Sequence, residues 1–130
     1  MTDEQFIEQF EACSLPAESF HHGQHVRVVW LYLRQYSIFE TLQRFSESLK
    51  RFATSHGKPN LYHETISWAY VFLINERVLS RPQLNWEEFT AANPDLFDWQ
   101  NSVLKTYYSN ETLWSDLARS VFLMPDRQGQ

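Results

Sequence analysis

Apolar residues recur along most of this chain at intervals of three and four, the spacing of one face of an α-helix. Phe6, Ile7 and Phe10 share such a face after Thr2 and Gln5, which read as a capping box, and Pro16 ends that element. From about His22 to Gln35, Val26, Val29, Trp30 and Leu33 predict a second helix. Ser37 and Glu40 read as the next capping box. Ile38, Leu42, Phe45, Leu49 and Phe52 then repeat until Gly57, with Arg44, Glu47, Lys50 and Arg51 on the opposite, solvated face.

Pro59 and Asn60 restart the chain, and a fourth helix is expected over about Leu61 to Leu79. It carries Ile66, Trp68, Ala69, Tyr70, Val71, Phe72, Leu73 and Ile74, apolar on nearly every side, the pattern of a central buried helix. Asn85 and Glu88 cap a short helix through about Ala92, Asn93 with Pro94 begins another, and a last one is expected from about Glu111 to Phe122 before Pro125. The pattern predicts a compact all-α, single-domain bundle of about five to seven helices over residues 1–130. Residues 1–20 form an N-terminal helix and loop, and residues 126–130 a loose tail.

Composition narrows the function classes. A chain of 130 residues suits one core, and 10 Phe, 5 Trp and 6 Tyr mean that rings build much of it, while only 3 Gly argue against a turn-rich β architecture. The formal charge of −5 gives no bias toward phosphate backbones or anionic lipid, so neither nucleic acid nor membrane is an expected partner. No apolar run approaches the roughly 20 residues of a bilayer crossing. The opening segment MTDEQFIEQFEACS is acidic and does not read as a signal peptide. The lone Cys13 offers no disulfide partner and no thiolate cage, which suits a cytoplasmic setting.

Chemistry concentrates in two segments. In SFHHGQH, three of the five histidines, His21, His22 and His25, gather at the start of the second helix, where His25 shares a face with either neighbour at i,i+3 or i,i+4. In YHET, His63 and Glu64 fall in the first turn of the fourth helix. The short junction at Tyr36 and Ser37 and the HGKPN turn each reverse the chain, so two reversals would bring the starts of the second and fourth helices to one end. His22, His25, His63 and Glu64 would then suit a divalent first-row metal, Zn, Fe, Ni or Mn, with Glu64 as fourth ligand or as catalytic base toward a metal-bound water. The bland alternative is that these histidines satisfy backbone groups or sit hydrogen-bonded in the core.

Tyr62, Trp68 and Tyr70, with His21 at the margin, are candidates for the wall of a small-molecule pocket. His56, just before Gly57, fits a helix end and belongs to no site. No nucleophile elbow or phosphate loop is present. Two function classes follow: a small metal-binding protein, enzymatic or not, and a metal-free module that holds a small ligand or a protein partner, a second copy of the chain included.

The segments FHHGQHVRVVWLYLR, YHETISWAYVFLI, NPDLFDW and YYSNETLWSDLARSVFLMPDR resemble a group of small uncharacterised bacterial helical proteins. That group's pattern runs F-x-H-x-x-H, Y-H-E-T, N-P-x-L and P-D-R. The likeness spans Phe20 to Arg127. It implies a bacterial, cytoplasmic setting, places the spaced histidines on His22 and His25 rather than His21, and brings no activity with it.

Overall fold

Seven α-helices and four short 3-10 turns make up the regular structure among the described residues, with no strand. A computed structural model describes residues 1–127; residues 128–130, part of the expected loose tail, lie outside the described residues. The length of the chain suggests one domain, and its backbone contacts group into two compact units, residues 1–62 and 63–130.

In the first unit, α1 (Asp3–Glu11) opens with the expected reciprocal capping box between Thr2 and Gln5. It stops well before Pro16. Cys13 adopts a positive φ of 60°, its N–H donates to the Phe10 carbonyl, and the Ser14 N–H donates to the Gln9 carbonyl. This is the left-handed helix stop that glycine normally supplies, here on a residue with a Cβ. Gly57 makes the same stop after α3 (Ile38–Ser55): its φ is 74°, and Lys58 N–H reaches back to the Ala53 carbonyl. Glycine enters that region without steric cost.

Between them lies α2 (His22–Leu33). The third helix packs against both α1 and α2. It buries Leu42, Phe45 and Phe52, together with the small polar residues Thr41, Ser46 and Ser48. Its start is half of the expected capping box. Ser37 Oγ accepts from Glu40 N–H, while the Glu40 carboxylate turns to Arg44.

The heart of this unit is a cluster of rings. Phe20, at the end of the 3-10 turn Ala17–Ser19, lies 4.8 Å from Phe10 and 4.8 Å from Phe52 between ring centroids. Phe10 also meets Phe45 at 6.4 Å. Each fully buried ring contributes about 1.5–3 kcal/mol by burial, and ring pairs at these distances add to it.

The second unit begins with α4 (Glu64–Ser80), three residues later than the periodicity predicts, because Pro59–Leu61 forms a separate 3-10 turn. This helix buries Thr65, Ser67, Ala69, Tyr70, Val71 and Ile74, and leaves Phe72 and Leu79 exposed. Next, α5 (Trp86–Ala92) carries the expected Asn85–Glu88 capping box. The helix expected from Asn93 and Pro94 is a 3-10 turn, Pro94–Phe97, and a further one spans Val103–Thr106. Asn93 does not cap it: its side chain bonds Phe89 and Arg77 instead.

The single helix expected over Glu111 to Phe122 is broken into α6 (Asn110–Leu113) and α7 (Asp116–Ser120). Ser109 and Ser115 each cap the piece that follows, their hydroxyl oxygens accepting from Thr112 and Ala118 N–H. A serine in that position competes with the helix for its own backbone, which divides one apolar run into two. The seventh helix packs on α4.

Candidate functional site

The two histidine segments belong to different units, and each is built differently. At the head of α2, His21 is the exposed N-cap residue, and its N–H donates to the Gln24 side-chain carbonyl at 3.0 Å. His22 and His25 follow on one helical face, with ring centroids 6.4 Å apart. His25 turns into the ring cluster, 4.4 Å from Phe20 and 6.4 Å from Phe45. A hydrogen bond to the Phe20 carbonyl favours its protonated form, but burial and then the neighbouring His22 outweigh it and hold its pKa near 3. His25 is therefore a neutral imidazole at pH 7.

At the head of α4, His63 is buried and stands outside the first turn, as the N-cap. Its Nδ1 accepts from Ile66 N–H at 3.1 Å. Nε2 must then carry the proton, which it donates to the Leu113 carbonyl at 2.6 Å. The indole of Trp114 meets the imidazole edge-on at 5.6 Å. Burial is the main cause that lowers the pKa of His63, with the Arg119 charge adding to it. As placed, neither His63 nitrogen, expected to ligate a metal ion, has a lone pair to give one unless the cap or the Leu113 bond is surrendered. Glu64 is the first residue of α4, where the partial positive charge of the helix start favours a carboxylate. Among the described residues, no group of three or more His, Cys, Asp or Glu side chains is arranged to hold a metal ion.

The candidate pocket aromatics also go separate ways. Tyr62 carries the Lys50 ammonium over its ring at 5.1 Å. Trp68 stacks on Phe122 at 5.7 Å. Tyr70, two positions on and so on the other side of the helix, is buried, with its hydroxyl 2.6 Å from Ser102 Oγ. The rings of Trp68 and Tyr70 therefore do not wall one cavity. His56 caps α3, as its place before Gly57 suggests, and its Nε2 sits 3.1 Å from the Leu15 carbonyl.

What the pattern along the chain did not reveal is the strap formed by the C-terminal segment. Thr65 Oγ1 donates to the Val121 carbonyl and accepts from Leu123 N–H. Tyr108 donates to the Leu123 carbonyl, and burial pushes its pKa up to about 12. Asp126 accepts from the N–H and hydroxyl of Ser109 and from the hydroxyl of Thr112, bonds that draw its pKa down to about 2. The Arg127 N–H donates to the Tyr107 carbonyl. Asp126 and Arg127 are thus anchored rather than loose.

Beside the strap lies an open cleft of about 980 Å³ lined by Asp95, Asn101, Ser102, Val103, Lys105, Thr106 and Arg127. Trp114, Leu117, Val121 and Met124, by contrast, leave apolar side chains at the surface. No described helix is long and apolar enough to cross a membrane. The chain matches no protein-family model, no curated protein and no solved structure.

Proposed function

We propose that this protein is an interaction module that works without a metal ion and pairs with a second copy of itself through the surface around α7. The observation that carries this reading is the exposure of Trp114 (48%), Leu117 (59%) and Val121 (44%) within eight residues of chain. Single exposed apolar side chains are ordinary, but several gathered along one short stretch mark a contact surface. The choice of a second copy rests on charge. Asp116 and Arg119 lie one turn apart on α7 and give this short stretch both signs of charge, and the Arg119 guanidinium lies over the Trp114 ring at 5.6 Å. A surface that carries both signs beside exposed apolar side chains can complement itself, and two copies related by a two-fold axis would bring their Leu117 side chains together.

Sedimentation across a concentration series tests it. A monomer–dimer equilibrium that Leu117→Asp weakens by at least about tenfold supports the reading, since a central apolar anchor carries that much. A monomer at every concentration, or a dimer indifferent to Leu117→Asp, overturns it.

A second reading keeps the metal at the head of α2 alone. It is favoured by His25, whose bond to the Phe20 carbonyl is the kind of outer contact that orients a ligating imidazole. Such a site would take Zn, Ni, Fe or Mn on His22 and His25. Calorimetric titration of the tag-free chain with Zn²⁺ or Ni²⁺ decides it. Binding that disappears in His22→Ala supports the site, and equal heats in the two proteins exclude it.

A further inference from the structure

We propose that the cleft in the second unit is a binding site for a small phosphorylated, hydroxyl-bearing molecule, with Lys105 and Arg127 as the groups that hold its phosphate. The argument turns on how the local charges are spent. Three carboxylates belong to this neighbourhood, and each already has a partner. Asp98 Oδ1 accepts from the Asn101 N–H at 3.1 Å. Asp95, in the cleft wall, is held by both Arg77 Nη1 at 3.0 Å and Nη2 at 2.8 Å, a fork that neutralises it and lowers its pKa. Asp126 spends both oxygens on Ser109 and Thr112.

Lys105 and Arg127 are left with no carboxylate partner among the described residues: their bonds run to backbone carbonyls. The Lys105 ammonium donates to the Gln100 carbonyl at 3.0 Å. Arg127 Nη1 donates to the Lys105 carbonyl at 2.9 Å. Carbonyls fix the direction of a cation without cancelling its charge. Two of three ammonium hydrogens and most of the guanidinium fork remain to meet an oxyanion. The result is a cleft with two cations that have no direct carboxylate partner among the described residues, on a chain whose formal net charge is −5.

The rest of the lining names the body of the ligand. Asn101, Ser102 and Thr106 offer an amide and two hydroxyls, and among the described residues of the wall Val103 is the one apolar side chain and none is an aromatic ring. Such a wall suits a hydroxylated body better than a stacked nucleobase. Its volume of about 980 Å³ accepts a ligand of sugar-phosphate size. Ser102 is itself held: its Oγ accepts from Leu104 N–H and pairs with the Tyr70 hydroxyl. Part of the cleft is thus set before any ligand arrives.

The test is an NMR titration of the full chain with glucose 6-phosphate, glucose, inorganic phosphate and citrate. Saturable shifts at the amides of Asn101, Ser102, Lys105 and Thr106 with glucose 6-phosphate, weaker ones with phosphate and none with glucose are the expected result. Lys105→Gln and Arg127→Gln should each weaken binding about 10- to 100-fold, the loss of one charge-assisted contact. Arg127→Gln also disturbs the strap, so Lys105→Gln, which removes an exposed ammonium bonded to the Gln100 carbonyl, is the decisive variant. Its far-UV spectrum should match the parent's. Absence of shifts at these amides, shifts unchanged in Lys105→Gln, or citrate binding as tightly as glucose 6-phosphate overturns the proposal.

Discussion

The two histidines that head the longest apolar runs, His25 and His63, have opposite fates. His25 of the first unit is folded into a cluster of phenylalanine rings and holds one backbone carbonyl. His63 of the second unit is a cap, with one nitrogen taking the Ile66 N–H and the other giving its proton to Leu113. Both are neutral at pH 7, for the same leading reason, burial. The difference reflects how each unit is held. The first is centred on one cluster of rings; the second, beside ring pairs such as Trp68 on Phe122, is tied by several side chains that bond the backbone across long stretches of sequence, as His63, Thr65, Tyr108 and Asp126 do. Histidine serves in either setting because it has both a ring and two nitrogens.

The largest effect that can break this comparison is expected in the ring cluster. Phe10→Ala removes a fully buried ring that contacts Phe20, Phe45 and Phe52, and should cost about 3–5 kcal/mol in urea unfolding. A cost below 1 kcal/mol would mean that the rings are not what holds the first unit.

Next comes the cap. His63→Ala leaves Ile66 N–H and the buried Leu113 carbonyl without their partner, for about 2–3 kcal/mol. His63→Asn, which can still cap α4, should recover part of that loss. Equal losses in the two variants would show that the Leu113 bond alone matters.

The smallest effect is a dependence on pH. His25 has a folded pKa near 3, below its ordinary 6.5, so the folded state binds fewer protons than the unfolded chain between those values. The neutral ring's contribution is complete above about pH 6.5 and is lost as pH falls toward 3. Stability should drop by about 1–2 kcal/mol from pH 7 to pH 5. In His25→Leu the slope should be shallower, the remainder coming from His63, whose pKa is lowered in the same sense. An identical slope in His25→Leu would place the titration elsewhere.

Much of the fold was legible because it is local. Thr2 with Gln5, Asn85 with Glu88, and Gly57 after Phe52 each act within a few residues, and each does what its type and spacing imply. Errors arose where a local signal had a rival. Cys13 supplied the left-handed stop that composition assigns to glycine, and Ser115 cut a run that periodicity reads as continuous. For the candidate site, the pairing of His22 with His25 followed from helical spacing. Commitment of both His63 nitrogens did not, since one partner lies fifty residues away.

The sequence by itself determined that this chain is helical, where most helices begin, and which residues could carry chemistry, because periodicity and capping operate over one or two turns. Only the tertiary structure decided which of those residues keep a lone pair or a charge to offer. Whether His25 meets the Phe45 ring, His63 the Leu113 carbonyl, or Arg127 the Lys105 carbonyl depends on groups distant in sequence and adjacent in space. Hydrogen bonding, burial and charge act over that spatial distance.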